Sequence, residues 1–518
     1  MRVGGDLQGR LSNPLGDIRA ESDHGMLHRA FCETPDYRSL LESDEKVIVV
    51  GRRGTGKSAL TYRLGQQWSV DKGTVLVTVS PDEHHTLALE PFIARTGVKF
   101  LGVRAASRLV WKYGLILQII QVLSVKYKTR ELVAESSVLL EHLHLWGKAE
   151  TAFYDKIRGT LKRALAADVP TDEFVGHLAD TLEISTIEKE FRKILDKSHP
   201  IKILVDRLDE GFDPSMNGIA FIDGVVTAAI DLASNFRVKI RPVIFLRDNI
   251  FRAVAHFDQD YARNIEGQTL RLHWDVNTLF YMVCNRMRAA FNDKQQNNKR
   301  LWNRYVSHEL VDEEGFRHCL KFTLYRPRDI LILLNSAFEN ASKRDMSVAT
   351  VTISIADIEK SAKLISENRL DDLIKEYRHI FPSIDQAISV FVDGNPEIAL
   401  DDACSALAGI LSNPEGGAEA QTELAIFEHP VELVRSLYSV GFFGVHDTAS
   451  NSFVFSHDGR RQDVELVQNQ NLLIHPCYWM GLNVSKSALS PEDATEINDE
   501  YEIKVASVVG PANLRQPA

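Results

Sequence analysis

A lysine and a hydroxyl residue closing a glycine-rich turn are suited to phosphate chemistry. The ammonium can bridge phosphate oxygens and the hydroxyl can hold a divalent cation. The stretch VIVVGRRGTGKSALTYRL, residues 47–64, carries that pattern. Its Gly51, Arg52, Arg53, Gly54, Thr55, Gly56, Lys57 and Ser58 fit GxxxxGK[ST] at every fixed position. Glycines let successive backbone N–H groups turn inward around an anion, and the helix that starts near Ala59 points its positive end at the same place. Residues 51–59 are therefore expected to bind the phosphates of a nucleotide. Lys57 would meet the β- and γ-phosphates and Ser58 would ligate Mg²⁺. Arg52 and Arg53 occupy variable positions and are expected to be solvated, or to supplement the positive field.

A phosphate loop that hydrolyses also needs an acid for the metal and a group to orient water. PIKILVDRLDEGF supplies candidates: an apolar run ends at Asp206, followed by Asp209 and Glu210. Asp206 is the expected metal-side acid and either Asp209 or Glu210 the base; spacing does not decide between them. VKIRPVIFLRDNIF ends an apolar strand in Arg247 and Asp248. Arg247 could sense the γ-phosphate, or form a salt bridge to Asp248 or a neighbour. In FTLYRPRDILILLNSAFENA, Pro327 and an expected N-cap at Asp329 mark a helix start. Arg326 or Arg328 could reach back over the nucleotide from there.

The elements that must position these groups are short apolar strands at 47–50, 74–80, 201–205 and 238–246, separated by helical segments. That alternation indicates βαβ units and a parallel sheet. In such a sheet ligands bind at the carboxyl ends of the strands, where Lys57, Asp206 and Arg247 all fall. The expected fold is α/β, a P-loop NTPase parallel sheet with a helical insertion at about 103–197, inside a core of 26–270. A helical lid at 271–377 and a small acidic winged-helix-like α+β domain at 378–485 follow. In the latter, a helix at 431–438, a turn at Gly441 and two strands around DTASNS form the outline. Residues 1–25 read as a flexible arm and 486–518 as a tail in which EYEIKVASVVG could add an edge strand.

At 518 residues, 44% hydrophobic and 25% charged, the chain has a globular composition. Its five cysteines form no CxxC pair, which argues against a disulfide framework and a zinc site. His475 and Cys477 lack the further ligands that zinc demands and are expected to pack in the core. The N-terminus lacks a signal-peptide core and no apolar run spans a bilayer, so a cytoplasmic protein is expected. Net charge is −11, and residues 379–485 alone hold fourteen acids against three basic residues, Arg435, Arg460 and Arg461. Such a segment should be repelled by nucleic-acid backbones.

In the order of these motifs the chain resembles the AAA+-related P-loop ATPases of the STAND and origin-recognition type. More narrowly, FCETPDYRSLL, YRPRDILILLN and YSVGFFGVHD…FVFSHDG…IHPCYW are similar to a bacterial group of P-loop ATPases, over most of residues 30–482. The resemblance implies ATP and Mg²⁺, Asp206 with Asp209 or Glu210 at metal and water, Arg247 as sensor 1 and Arg328 as sensor 2. Phe31, Glu33 and Tyr37 would border the adenine. The second acid does not directly follow Asp206, as in the STAND D-x-x-D-E variant, which implies a slow switch. Bacterial defence or mobile elements are the implied setting.

These readings converge on an Mg²⁺-dependent ATPase whose nucleotide state controls assembly with itself or with a partner protein. If the active site is completed in an oligomer, a trans-acting arginine such as Arg252 or Arg263 would be needed, against the favoured alternative that each is a surface arginine. The alternatives are a nucleotide-gated DNA-binding protein, disfavoured by the acidic C-terminal segment, and a scaffold that binds ATP without hydrolysis.

Overall fold

A computed structural model describes residues 13–80, 99–165, 170, 173–209, 215–236, 239–258, 265–344, 351–412, 417, 427, 429–448, 451–456, 470–484 and 503–505. The chain divides into two compact units. One comprises Pro35–Arg53 and Lys57–Leu272; the other comprises Met1–Thr34, Gly54–Gly56 and His273–Ala518.

The first unit is built on five strands, β1 (Ile48–Gly51), β2 (Val75–Val79), β3 (Ile201–Val205), β4 (Ile240–Arg247) and β5 (Thr269–Arg271), in the order β2-β3-β4-β1-β5. Every pairing is parallel. β1, β3 and β4 are mainly apolar and buried, as parallel sheets covered by helices require, with Lys202 in β3 and Arg241 in β4 as the charged interruptions, both paired with Asp44. Four of these strands lie where the apolar runs placed them. β5 was not anticipated: its three residues are half-buried and carry no apolar pattern. The register sets Gly51 opposite Arg247 and Val205 opposite both Val79 and Ile244. The carboxyl ends of β1, β3 and β4 therefore open on one rim.

Between β2 and β3 the described residues of the expected insertion are mainly helical, from Phe100–Leu123 to Ile184–Leu195. Trp111, Trp146 and Phe153 pack ring against ring inside it, with centroids 5.3 and 5.7 Å apart. Its first helix lies against Met216–Asn235, the helix that follows β3. That contact is close: a Cβ on Gly224 would come within 2.5 Å of the Ser107 Cβ and 2.6 Å of the Arg104 carbonyl oxygen. Arg104 fastens the same crossing, 2.8 Å from both Asp223 and Asp258. Among the described residues, Met216–Asn235 is the one helix long and apolar enough to cross a membrane, and 67% of its most apolar window is buried within the protein.

In the second unit, helices Val276–Phe291, Asp312–Lys321, Pro327–Arg344 and Ile355–Tyr377 occupy the expected lid. A second sheet follows, made of β6 (Glu397–Ala399), β7 (Phe443–Asp447), β8 (Ser452–Phe455), β9 (Asn471–Ile474) and β10 (Ile503–Val505), in the order β10-β8-β7-β9-β6. Helix Pro430–Ser439 leads into the antiparallel β7–β8 hairpin, the winged-helix outline. β10 adds the edge strand foreseen in EYEIKVASVVG, parallel to β8. His475 and Cys477 are buried in the core.

Two expectations about organisation change. The lid and the C-terminal segment do not have separate interiors, since Phe280, Trp302 and Phe316 belong to one continuous core with Tyr377, Phe442 and Tyr478. Nor are residues 13–25 part of a flexible arm. Leu15 is fully buried in that core, its N–H donates to Asn335 Oδ1 at 2.9 Å and its carbonyl accepts from Arg286 at 2.8 Å.

The crossing at Gly224 makes a prediction for stability. Gly224→Ala overpacks two buried helices and should destabilise by about 1–3 kcal/mol in denaturant unfolding. Gly176→Ala, in an open helical position, should be neutral or stabilising. Equal effects of the two would contradict the packing described.

Candidate functional site

The segment 51–59 forms the turn between β1 and the helix Lys57–Val70. Gly54 and Gly56 have φ of +87° and +92°, conformations that glycine adopts without strain. Lys57 reaches back over the turn, its Nζ donating to the carbonyls of Gly51 at 2.7 Å and Arg52 at 3.1 Å. Ser58 and Ala59 are half-buried in the first turn of the helix, and Arg53 is exposed as expected.

Asp206 follows β3 directly and is 6% exposed. Burial pushes its carboxyl up from the ordinary carboxylate value. The Arg207 N–H, which donates to Oδ1 at 2.9 Å, opposes that shift, Asp209 adds to it, and Lys57 and the Thr61 hydroxyl oppose it. Arg207 adopts a left-handed φ of +63° to make this bond. Among the described residues no lysine or arginine lies within ion-pair distance of Asp206, although Lys57 is close enough to act on it electrostatically. Thr61 was not singled out from the sequence; its place one turn after Lys57 is the signal that could have found it.

Arg247 pairs with Asp209 rather than Asp248. Of the two alternatives for Arg247 in the sequence, the neighbour salt bridge is therefore present, and it joins the candidate sensor to the candidate base. Glu210 and Arg263 lie outside the described residues.

Asp248 has a different role from the one its position beside Arg247 suggested. Its side chain is fully buried and stands 2.7 Å from Arg252 Nε, 2.9 Å from an Arg271 terminal nitrogen and 3.9 Å from Arg52 Nε. Burial alone would raise its carboxyl, yet Arg252, Arg271 and Arg52 hold it below the ordinary carboxylate value. The expectation of a solvated Arg52 is overturned. Its side chain is 1% exposed because this long-range carboxylate draws it under the turn. Arg252, weighed as a trans-acting arginine, is engaged within its own chain.

In the second unit the Arg328 N–H donates to the Gly54 carbonyl at 3.2 Å, and Trp274 Nε1 donates to the Thr55 carbonyl at 3.0 Å. Arg326, the other lid candidate, is buried near Glu376 at 4.0 Å. Asp329 is not the N-cap, because the helix already begins at Pro327. From the first turn its carboxylate accepts the Leu324 N–H at 3.2 Å and a bond from Arg369 at 2.7 Å. Tyr37 is 1% exposed, a core residue, and Glu33 is exposed. Phe31 lines an open cleft of about 410 Å³ with Arg29, Asn285, Arg288 and Asn292.

Comparison with known proteins follows this division. Residues 277–374, most of the helical region expected as a lid, match the family model described as the FunZ-associated C-terminal helical domain. Over 500 residues the chain is 42% identical to the "Putative transposon gamma-delta 80.3 kDa protein" of Escherichia coli K12, spanning 96% of this chain and 70% of that one. The chain belongs to the family of that transposon protein. A second relative, "Allergen Alt a 2" of Alternaria alternata, is 46% identical over 156 residues, 30% of this chain and 80% of its own. Among solved structures, Cdc6p from Pyrobaculum aerophilum covers 88% of each chain at 13% identity with a TM-score of 0.27, too low to carry an argument. The P-loop NTPase layout rests on the strand order, with the turn after β1 and the acid after β3.

The two lid arginines should separate in a stability measurement. Arg326→Gln strips a cation from a buried acid and should cost on the order of 3 kcal/mol. Arg328→Gln, half-buried at the turn, should cost less than about 1 kcal/mol. Thermal or denaturant unfolding decides, and a larger loss for Arg328 would contradict this placement.

Proposed function

We propose that the protein is a nucleotide-controlled switch. It binds ATP with Mg²⁺ at residues 51–59, hydrolyses it slowly, and uses the nucleotide state to control assembly with itself or a partner protein. The observation that carries the reading is the Asp206 carboxylate, buried at the end of β3 in the same unit as Lys57 and free of any arginine or lysine ion pair among the described residues. A buried, unneutralised carboxylate is costly unless a cation meets it. One carboxylate and a serine hydroxyl suit Mg²⁺, which keeps most of its waters and takes the rest of its shell from phosphate.

Mg·ATP supplies the transferable phosphoryl group and the metal charge that offsets its negative oxygens. The chain supplies the positioning. Lys57 would exchange the Gly51 and Arg52 carbonyls for phosphate oxygens, the glycine turn would offer its backbone N–H groups, and Ser58 with Asp206 would hold the metal. Arg247, which pairs with Asp209, would donate toward the terminal phosphate, and Asp209 or Glu210 would orient the attacking water. Arg328, bonded through its N–H to the tip of the turn, is the candidate that reports nucleotide to the lid. The spacing of Asp209 and Glu210 from Asp206 supports slow turnover of the switch type. The description of the E. coli relative as a transposon protein supports a mobile-element setting.

Phosphate release and light scattering with and without ATP test this reading together. Wild type should release phosphate and change assembly state with ATP. Lys57→Ala and Asp206→Ala should each lower turnover by at least about 10²-fold, as losses of transition-state charge stabilisation do. Turnover that survives both substitutions would mean that the site lies elsewhere. Hydrolysis without any change in assembly or partner binding would contradict the switch.

A further inference from the structure

Arg52 stands at a variable position of the phosphate loop, yet its side chain is as buried as the core, 1% exposed beside a fully buried Asp248 carboxylate. The same residue faces the other way through its backbone, because its carbonyl accepts from Lys57 Nζ at 3.1 Å. Asp248 directly follows Arg247, which lies opposite Gly51 in the β1–β4 register. Arg271, also on Asp248, lies opposite Val50 in the β1–β5 register. Asp248 thus touches groups from the turn, from β5 and, through Arg252, from the helix Asp248–Phe257. A carboxylate this deep, with cations from three elements, is a rigid anchor. The arm that runs to the turn ends at the residue whose carbonyl holds the candidate phosphate-binding lysine.

We propose that Asp248 is a positioning residue for the phosphate loop, acting through Arg52 to fix the start of the turn and the starting place of Lys57, so that nucleotide affinity depends on this buried pair. The proposal rests on the nucleotide reading above. It differs from a merely structural role for Asp248 in what it requires of Arg52 compared with Arg271. Both serve the same carboxylate and both contribute to stability, but only Arg52 belongs to the turn.

The test measures the Kd for ATP with Mg²⁺ and the nucleotide-free Tm for wild type, Arg52→Met, Arg52→Lys and Arg271→Met of the full chain. Arg52→Met should raise Kd by about tenfold or more, equivalent to about 1.4 kcal/mol. Arg52→Lys, which keeps the cation, should recover most of the affinity. Arg271→Met should lower Tm at least as much as Arg52→Met while changing Kd by less than about threefold, well under 1 kcal/mol. An Arg52→Met protein that binds ATP like wild type overturns the proposal, and so does an Arg271→Met protein that loses affinity equally. Wild type that binds no nucleotide is a separate result, and it removes the nucleotide reading itself.

Discussion

Gly51 lies opposite Arg247 in the parallel ladder of β1 with β4, and most of the candidate chemistry depends on that register. Because β3 pairs with β4 so that Val205 meets Ile244, Asp206 leaves the sheet on the same rim as the turn that begins at Gly51. A slip of one residue in either ladder would turn every side chain to the opposite face. It would move Asp206 away from Lys57 and Arg247 away from Asp209. The buried apolar runs of β1, β3 and β4 hold the register against such a slip, since each strand has two faces to keep out of water.

Charge burial around this rim follows two patterns, and the difference between them carries the functional argument. Asp248 is buried deeper than any acid nearby, and three arginines hold it ionised. Asp206 is nearly as deep and has no arginine or lysine ion pair among the described residues, so burial dominates and raises its carboxyl. The proposed role of Asp206 rests on that difference, because a buried carboxylate without a compensating cation bears its full desolvation cost. Lys57 meanwhile spends its donors on the carbonyls of Gly51 and Arg52. Those are weak partners for an ammonium compared with phosphate oxygens, and they are readily exchanged.

Much of this was legible in the sequence, and what was missed has a consistent physical cause. The glycine-rich turn between β1 and its helix, four of the five core strands and the β7–β8 hairpin follow from local patterns: glycine, lysine and serine at fixed spacing, β-branched runs, and turn residues between short strands. The misses involve partners far along the chain. Arg52 reads as solvated until Asp248 is brought beneath it, and Asp329 reads as a cap until Arg369 arrives from another helix. β5 has no apolar signature because, as a half-buried edge strand, it has little to bury. Residues 13–25 read as polar, although Leu15 among them is buried in the core. For Arg326 and Arg328 the residues alone left the choice open and the resemblance implied Arg328, whose backbone N–H bonds to the Gly54 carbonyl.

The central claim is that the turn at 51–59 takes the β-phosphate of a nucleotide and that Asp206 meets its metal. Isothermal titration of the full chain with ATP, ADP and AMP, each in the presence and absence of Mg²⁺, tests this most directly. The account predicts one saturable site for ATP and for ADP that tightens with Mg²⁺, and much weaker binding of AMP, which lacks the β-phosphate that the turn surrounds. Equal binding of all three nucleotides, or no binding of any, would contradict it.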